Sequence, residues 1–189
     1  MTTSLLSTEL VEFDLKTYDI MNKEIISKIE LDSLVEDLGI TLTSKCHEYG
    51  GGIVFVCVMK GGFMFFSDLI KHVKYPIEVD FIKCSSYDGF EQKEIEMHYD
   101  VEANVKDKTI FIVDDILDTG QTLNSLVEHF KAKGAKQVET ISAIYKENVD
   151  FPNHFFIYKQ PPNVNPWYIG YGMDGPSGHS RNNNTIYTL

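Results

Sequence analysis

Apolar residues fall along this chain in short blocks whose period changes from one block to the next. Residues 53–58 (Ile-Val-Phe-Val-Cys-Val) and 110–113 (Ile-Phe-Ile-Val) are unbroken. Such runs suit strands buried on both faces of a sheet. Residues 77–82 and 138–145 read as two further strands. Between these blocks the period becomes helical. Leu34, Leu38 and Leu42 recur one helical turn apart, behind a capping box of Ser33 and Glu36, and Gly50, Gly51 and Gly52 end the segment. Lys60-Gly61-Gly62 breaks the chain before a helix over 63–73, and Gly134 closes another over 123–133. Ile95, Met97 and Tyr99 alternate with Glu96 and His98, which predicts a strand with one wet face. With residues 81–101 it forms an antiparallel hairpin around a polar loop at 85–94. The short apolar runs 155–158 and 167–171 are split by Pro161, Pro162 and Pro166.

Strands that alternate with helices predict an α/β fold, a mainly parallel twisted sheet flanked by helices and joined by right-handed crossovers. The 189 residues suit one domain, with no linker or internal repeat. Residues 1–30 and 151–189 are expected to build a small hood over the C-terminal edge of the sheet, where ligands bind in such folds.

Charge and cysteine usage narrow the function classes. The net charge is −11 and no Lys/Arg cluster forms a basic face, which argues against nucleic-acid binding. A small anion stays possible, because a cation and local amide dipoles can reverse the potential inside one pocket. Cys46, Cys57 and Cys84 lack C-x-x-C spacing, so a reducing compartment fits better than disulfides or zinc. The six histidines show no H-x-x-x-H spacing either. The first residues lack the basic-then-apolar order of a secretory signal, and no apolar run is long enough to span a bilayer. The expected location is cytoplasmic, where the Asn183-Asn184-Thr185 glycosylation pattern has no meaning. Gly170-x-Gly172-x-x-Gly175 fits a dinucleotide fingerprint, but Pro176 and Gly178 stand where its helix must start.

The strongest chemical signal follows residues 110–113. Asp114 and Asp115 are succeeded by two apolar residues, then Asp118-Thr119-Gly120-Gln121-Thr122, then an amphipathic segment. This order reads as strand, tight loop, helix. Free N–H groups at the helix start, aided by its dipole, can hold a phosphate. Gly120 permits close backbone approach, and Thr119 and Thr122 add hydroxyl donors. Two carboxylates beside such an anion nest suggest a sugar phosphate held with a hard cation. The plainer reading is a solvated acidic turn that caps an ordinary helix.

The pattern resembles the phosphoribosyl-pyrophosphate motif of the type I phosphoribosyltransferases. Four segments in order resemble the hypoxanthine-guanine branch: Met59-Lys60-Gly61-Gly62, Ser86-Tyr87, the acidic motif followed by Lys146, and the stretch Trp167-Tyr168-Ile169-Gly170-Tyr171-Gly172-Met173-Asp174. The resemblance implies a purine-salvage enzyme. It would move a 5-phosphoribosyl group from phosphoribosyl pyrophosphate onto a 6-oxopurine with Mg2+ and release pyrophosphate. The expected assembly is a homodimer or homotetramer.

The resemblance also implies roles. Asp118 would exchange a proton with purine N7, and Asp118, Thr119, Gly120, Gln121 and Thr122 would surround the 5′-phosphate. Asp114 and Asp115 would sit by the ribose hydroxyls and magnesium. Lys60, Gly61 and Arg181 would meet pyrophosphate, the peptide entering Lys60 being cis in such enzymes. Ser86 and Tyr87 would lie on a lid. Lys146 would donate to O6, Trp167 would stack on the ring, Tyr168 would offer a carbonyl to the base edge, and Asp174 would hold a second magnesium. For the residues alone, plainer roles stay open. Asp118 also suits a helix N-cap, Lys146 a surface group, Trp167 a core aromatic, Lys60 an ordinary turn, and Ser86 and Tyr87 a hairpin loop. Two other functions also stay open: transfer to another base (xanthine, adenine or a pyrimidine), and a non-catalytic regulator that senses nucleotides and binds RNA.

Overall fold

The computed structural model describes residues 23–86, 95–146 and 151–189. A six-stranded sheet carries the fold. Its strands are β2 (Ile53–Met59), β3 (Glu78–Ser86), β4 (Ile95–Tyr99), β5 (Thr109–Leu117), β6 (Gln137–Lys146) and β7 (His154–Gln160), in the spatial order β4-β3-β2-β5-β6-β7. All pairs are parallel except β3 with β4, the expected hairpin. Helices α1 (Lys28–Tyr49) and α2 (Phe63–His72) cover one face, and α3 (Gln121–Ala132) covers the other. Strand alternation divides β5 accordingly. Phe111 and Val113 join the core under α1 and α2, while Ile110 and Ile112 join Leu123, Leu126 and Phe130 of α3. Among the described residues no helix is long and apolar enough to cross a membrane.

A second sheet of three short strands contains β1 (Lys23–Ile26), β8 (Tyr168–Ile169) and β9 (Ile186–Thr188), with β9 in the middle. Its connecting loop reaches the C-terminal end of the central strands, where a side chain at Gly172 would strike the Gly61 carbonyl. The division at residue 151 needs correction. His154–Gln160 extends the central sheet beside β6, because β6 otherwise presents an unpaired edge. Residues 1–22 of the expected hood lie outside the described residues.

Two boundaries also differ from expectation. The first helix opens at Ser27, not Ser33. Ser27 accepts from the Glu30 N–H, so the chain holds two Ser-x-x-Glu boxes and uses the earlier one. Ile26 precedes that cap and Leu31 follows it, both buried in one core, as in a hydrophobic staple. Strand β5 runs through the acidic pair to Leu117, because β6 continues to pair with it as far as Tyr145.

The edge formed by β6 and β7 contains a half-buried histidine. His154 Nε2 lies 2.8 Å from Ser142 Oγ and Nδ1 lies 2.9 Å from Thr140 Oγ1. The Ser142 hydroxyl donates to the Ile144 carbonyl, so it accepts from Nε2–H, and Nδ1 accepts from Thr140. Burial lowers the imidazole from 6.5 to about 4. The unfolded chain therefore takes up this proton first, near pH 6.5. Stability is expected to fall as pH drops below that point, by up to about 3 kcal/mol once the pH is below about 4. Urea unfolding of the protein and of His154→Gln across pH 7 to 4 tests this. Identical slopes for the two would contradict it.

Candidate active site

The acidic motif lies where β5 leaves the sheet. Asp114 is buried, and its Oδ1 accepts from the Asp115 N–H at 2.9 Å. Asp115 is half-buried, and its Oδ1 accepts from the Ile116 N–H at 2.8 Å. Each carboxylate keeps its other oxygen free of these backbone bonds. Burial, reinforced by the Asp115 charge, raises Asp114 well above the usual carboxylate range. Burial also raises Asp115, against the pull of its hydrogen bonds. Two desolvated acids side by side repel, and a cation between substrate and protein would relieve them.

The turn after them differs from a capped helix. The α3 N-cap is Gly120, left-handed at φ 76°, and no side chain caps the helix. Thr119 Oγ1 reaches the Gln121 N–H only weakly, at 3.4 Å. Asp118 is therefore not the cap, which removes its plainer role. A hollow of about 60 Å³ lies over this start, lined by residues 116–123 with Asp114. Helix N–H groups without a cap are what an anion needs.

Asp118 and Ile116 also line a larger neighbouring cavity of about 330 Å³, together with Asp115, Lys146, Asn165, Pro166, Trp167, Tyr168, Met173 and Asp174. Lys146 ends β6 and is buried, with Nζ 2.8 Å from Asp118 Oδ1. It is thus no surface lysine. Trp167 is 56% exposed, so it is no core aromatic, and its indole N–H donates to the Asp174 carbonyl at 2.9 Å. Tyr168 pairs with Thr188 in the small sheet, and burial pushes its hydroxyl up to about 12.

Across the two acids lies the turn after β2. The Met59–Lys60 peptide is cis, and Lys60 is exposed. Gly61 packs so closely on the Asp115 carboxylate that a Cβ would overlap it. Arg181 faces the same loop region. Its Nη1 donates to the Gly172 carbonyl at 2.6 Å, and Nη2 lies 2.5 Å from Asp174 Oδ2.

The phosphoribosyl transferase domain family matches residues 27–174, most of the chain. This protein belongs to the phosphoribosyltransferase family. The hypoxanthine-guanine phosphoribosyltransferase of Streptococcus thermophilus (strain CNRZ 1066) is 32% identical over 171 residues, 87% of this chain and 88% of that relative. The enzyme of the same name from Bacillus subtilis (strain 168) is 31% identical over 159 residues, 82% of this chain and 86% of that relative. A crystal structure of a hypoxanthine phosphoribosyltransferase from Staphylococcus aureus has a TM-score of 0.80 at 29% identity, covering 89% of this chain and 91% of that one.

In this phosphoribosyltransferase, Asp114, Asp115, Asp118, Lys60 and Gly61 gather at the C-terminal edge of β2 and β5, and Lys146 joins them from β6. Asp174 instead pairs with Arg181, which turns both groups toward each other. Among the described residues, no three His, Cys, Asp or Glu side chains converge on one point. The arrangement still fits magnesium, which takes one or two carboxylates and fills its octahedron with water and substrate phosphate. Ser86 ends β3, and Tyr87 lies outside the described residues. Sequence reasoning missed Ile116, Asn165, Pro166 and Met173 as cavity walls. Ile116 carried a signal as one of the two apolar residues inside the acidic motif, and Met173 as part of the stretch from Trp167 to Asp174. Burial pushes Cys57 up to about 12 and Cys46 up to about 11, which leaves both as inert thiols.

Proposed function

We propose that this protein is a purine-salvage enzyme, a magnesium-dependent hypoxanthine-guanine phosphoribosyltransferase. It transfers 5-phosphoribosyl from phosphoribosyl pyrophosphate to hypoxanthine or guanine, forming the nucleoside monophosphate and pyrophosphate. The observation that carries this reading is the shared wall of Asp118 and Ile116. It joins an uncapped helix start to a base-sized cavity that holds a buried lysine and an open indole.

The division of labour follows from charge and shape. Residues 119–122 bind the 5′-phosphate through N–H groups and hydroxyls. In the adjoining cavity Lys146 donates to O6 and Trp167 stacks on the ring. As purine N9 attacks the ribose carbon and pyrophosphate leaves, the Asp118 carboxylate accepts the proton lost from N7. Tyr168 offers its backbone to the base edge. As the glycosidic carbon loses pyrophosphate it takes on oxocarbenium character, and the nearby acids Asp114 and Asp115 stabilise that positive charge through the ribose hydroxyls. Lys60 and the Gly61 amide receive the departing pyrophosphate, with Arg181 beyond them. Magnesium, when bound, supplies the positive charge that neutralises that leaving group. Asp114 and Asp115 would hold it, and Asp174, which now pairs with Arg181, would hold a second ion. The enzyme works in the cytoplasm as a homodimer or homotetramer.

A panel of purine and pyrimidine bases, each supplied with phosphoribosyl pyrophosphate and Mg2+ and monitored for pyrophosphate release, tests the assignment. Release with hypoxanthine or guanine supports it, and release only with adenine or a pyrimidine rejects it. Trp167→Ala is expected to raise the KM for the base about 5- to 150-fold, the equivalent of about 1–3 kcal/mol of stacking. The KM for phosphoribosyl pyrophosphate should stay within twofold. Equal losses for both substrates would show that Trp167 supports the fold.

A further inference from the structure

Asn165 is a wall of the base cavity that no sequence pattern marks, and its surroundings fix which way its carboxamide faces. It lies in the turn between β7 and β8. Gln160, buried at the end of β7, braces that turn by donating its side-chain N–H to the Val164 carbonyl at 2.6 Å. The turn brings Asn165 Oδ1 to 3.1 Å from Lys146 Nζ. An ammonium group only donates, so the amide must present oxygen to it and turn its NH2 away.

Lys146 has three donors. One faces Asp118 at 2.8 Å and another faces Asn165. The third is left for a ligand in the cavity that Lys146, Asp118 and Asn165 all line. On this wall the Asp118 acceptor stands beside the Lys146 ammonium, and Asn165, which lines the same cavity, keeps an NH2 that Lys146 does not engage.

We infer that Asn165 determines base specificity: its oxygen steadies Lys146, and its NH2 adds a second donor toward the oxo edge of the purine. The inference rests on the reaction proposed above and deepens it. A 6-oxo group meets complementary donors there. A 6-amino group in the same place faces those donors, while Asp118, the acceptor of this wall, is engaged by Lys146, and an unpaired polar contact of that kind discriminates strongly.

Asn165 is exposed, so substitutions there should fold. The test compares the protein with Asn165→Ala and Asn165→Asp. The measurements are kcat and KM for hypoxanthine, KM for phosphoribosyl pyrophosphate, and the inhibition constant of adenine competing with hypoxanthine. Asn165→Ala is expected to raise the hypoxanthine KM about 3- to 10-fold while kcat and the phosphoribosyl-pyrophosphate KM stay within twofold. Asn165→Asp replaces a donor by an acceptor. It should raise the hypoxanthine KM at least as much and lower the adenine inhibition constant, so the oxo-to-amino preference falls about tenfold or more. An unchanged preference in both variants overturns the inference. Equal losses for hypoxanthine and adenine also overturn it, because they reduce Asn165 to a prop for the turn. If the unsubstituted protein used no 6-oxopurine at all, the proposed reaction itself would fall, and the inference with it.

Discussion

Asp118→Asn should lower turnover by about 10²- to 10⁴-fold while both substrates still bind within a few-fold. The substitution keeps shape and polarity. An amide oxygen can still accept from Lys146, which now lies 2.8 Å from the carboxylate. It changes only the ability to take a proton. Asp118 is open to the cavity on one side and to the phosphate turn on the other, so a carboxylate there can reach the base without crossing protein. It is also free of helix-capping duty, since Gly120 is the N-cap and no side chain caps α3. Pre-steady-state turnover with hypoxanthine, alongside equilibrium binding of each substrate, separates the two effects. Unaltered turnover would remove Asp118 from proton transfer. A parallel loss of binding would make it a recognition group.

Gly61→Ala should cost at least 100-fold in kcat/KM for phosphoribosyl pyrophosphate and only a few degrees in Tm. The added methyl would enter the space of the Asp115 carboxylate. That carboxylate cannot move cheaply, because its other oxygen accepts the Ile116 N–H. Retreat of the Gly61 backbone is blocked as well, since its carbonyl rests against Gly172. Either adjustment disturbs the acids or the amide proposed to receive pyrophosphate, and a displacement near 1 Å in a reacting site costs about 10²-fold. Gly61 is not part of the apolar core, so the fold should survive. Activity within threefold of the parent would show that the carboxylate has room the geometry does not reveal.

Much of this architecture is written in local patterns. The unbroken runs of β2 and β5 announce a sheet covered on both sides, and α1 and α2 do cover one face while α3 covers the other. The acidic motif announces the phosphate turn through its residue order alone. Other features depend on distant partners. The extension of β5 through Asp114 to Leu117 depends on β6 continuing beside it. The Ser33–Glu36 box put the start of α1 too late, because the packing of Ile26 against Leu31 selects the earlier cap at Ser27. The three-residue strand β9 is too short to carry a period, and the turn that delivers Asn165 has none. Arg181 could be read as a free cation, but its pairing with Asp174 depends on two loops meeting.

The middle position of β9 has a consequence for how the pocket comes into being. Residues 186–188 lie between β1, some 160 positions earlier, and β8, and the Leu189 N–H holds the Trp167 carbonyl at 3.0 Å. A growing polypeptide therefore acquires its phosphate turn from neighbours in sequence, but its base wall only when residues 186–189 pair with residues 23–26 and 167–169. Contacts of such long range form slowly. The half of the site that recognises the purine should be the last to mature during synthesis.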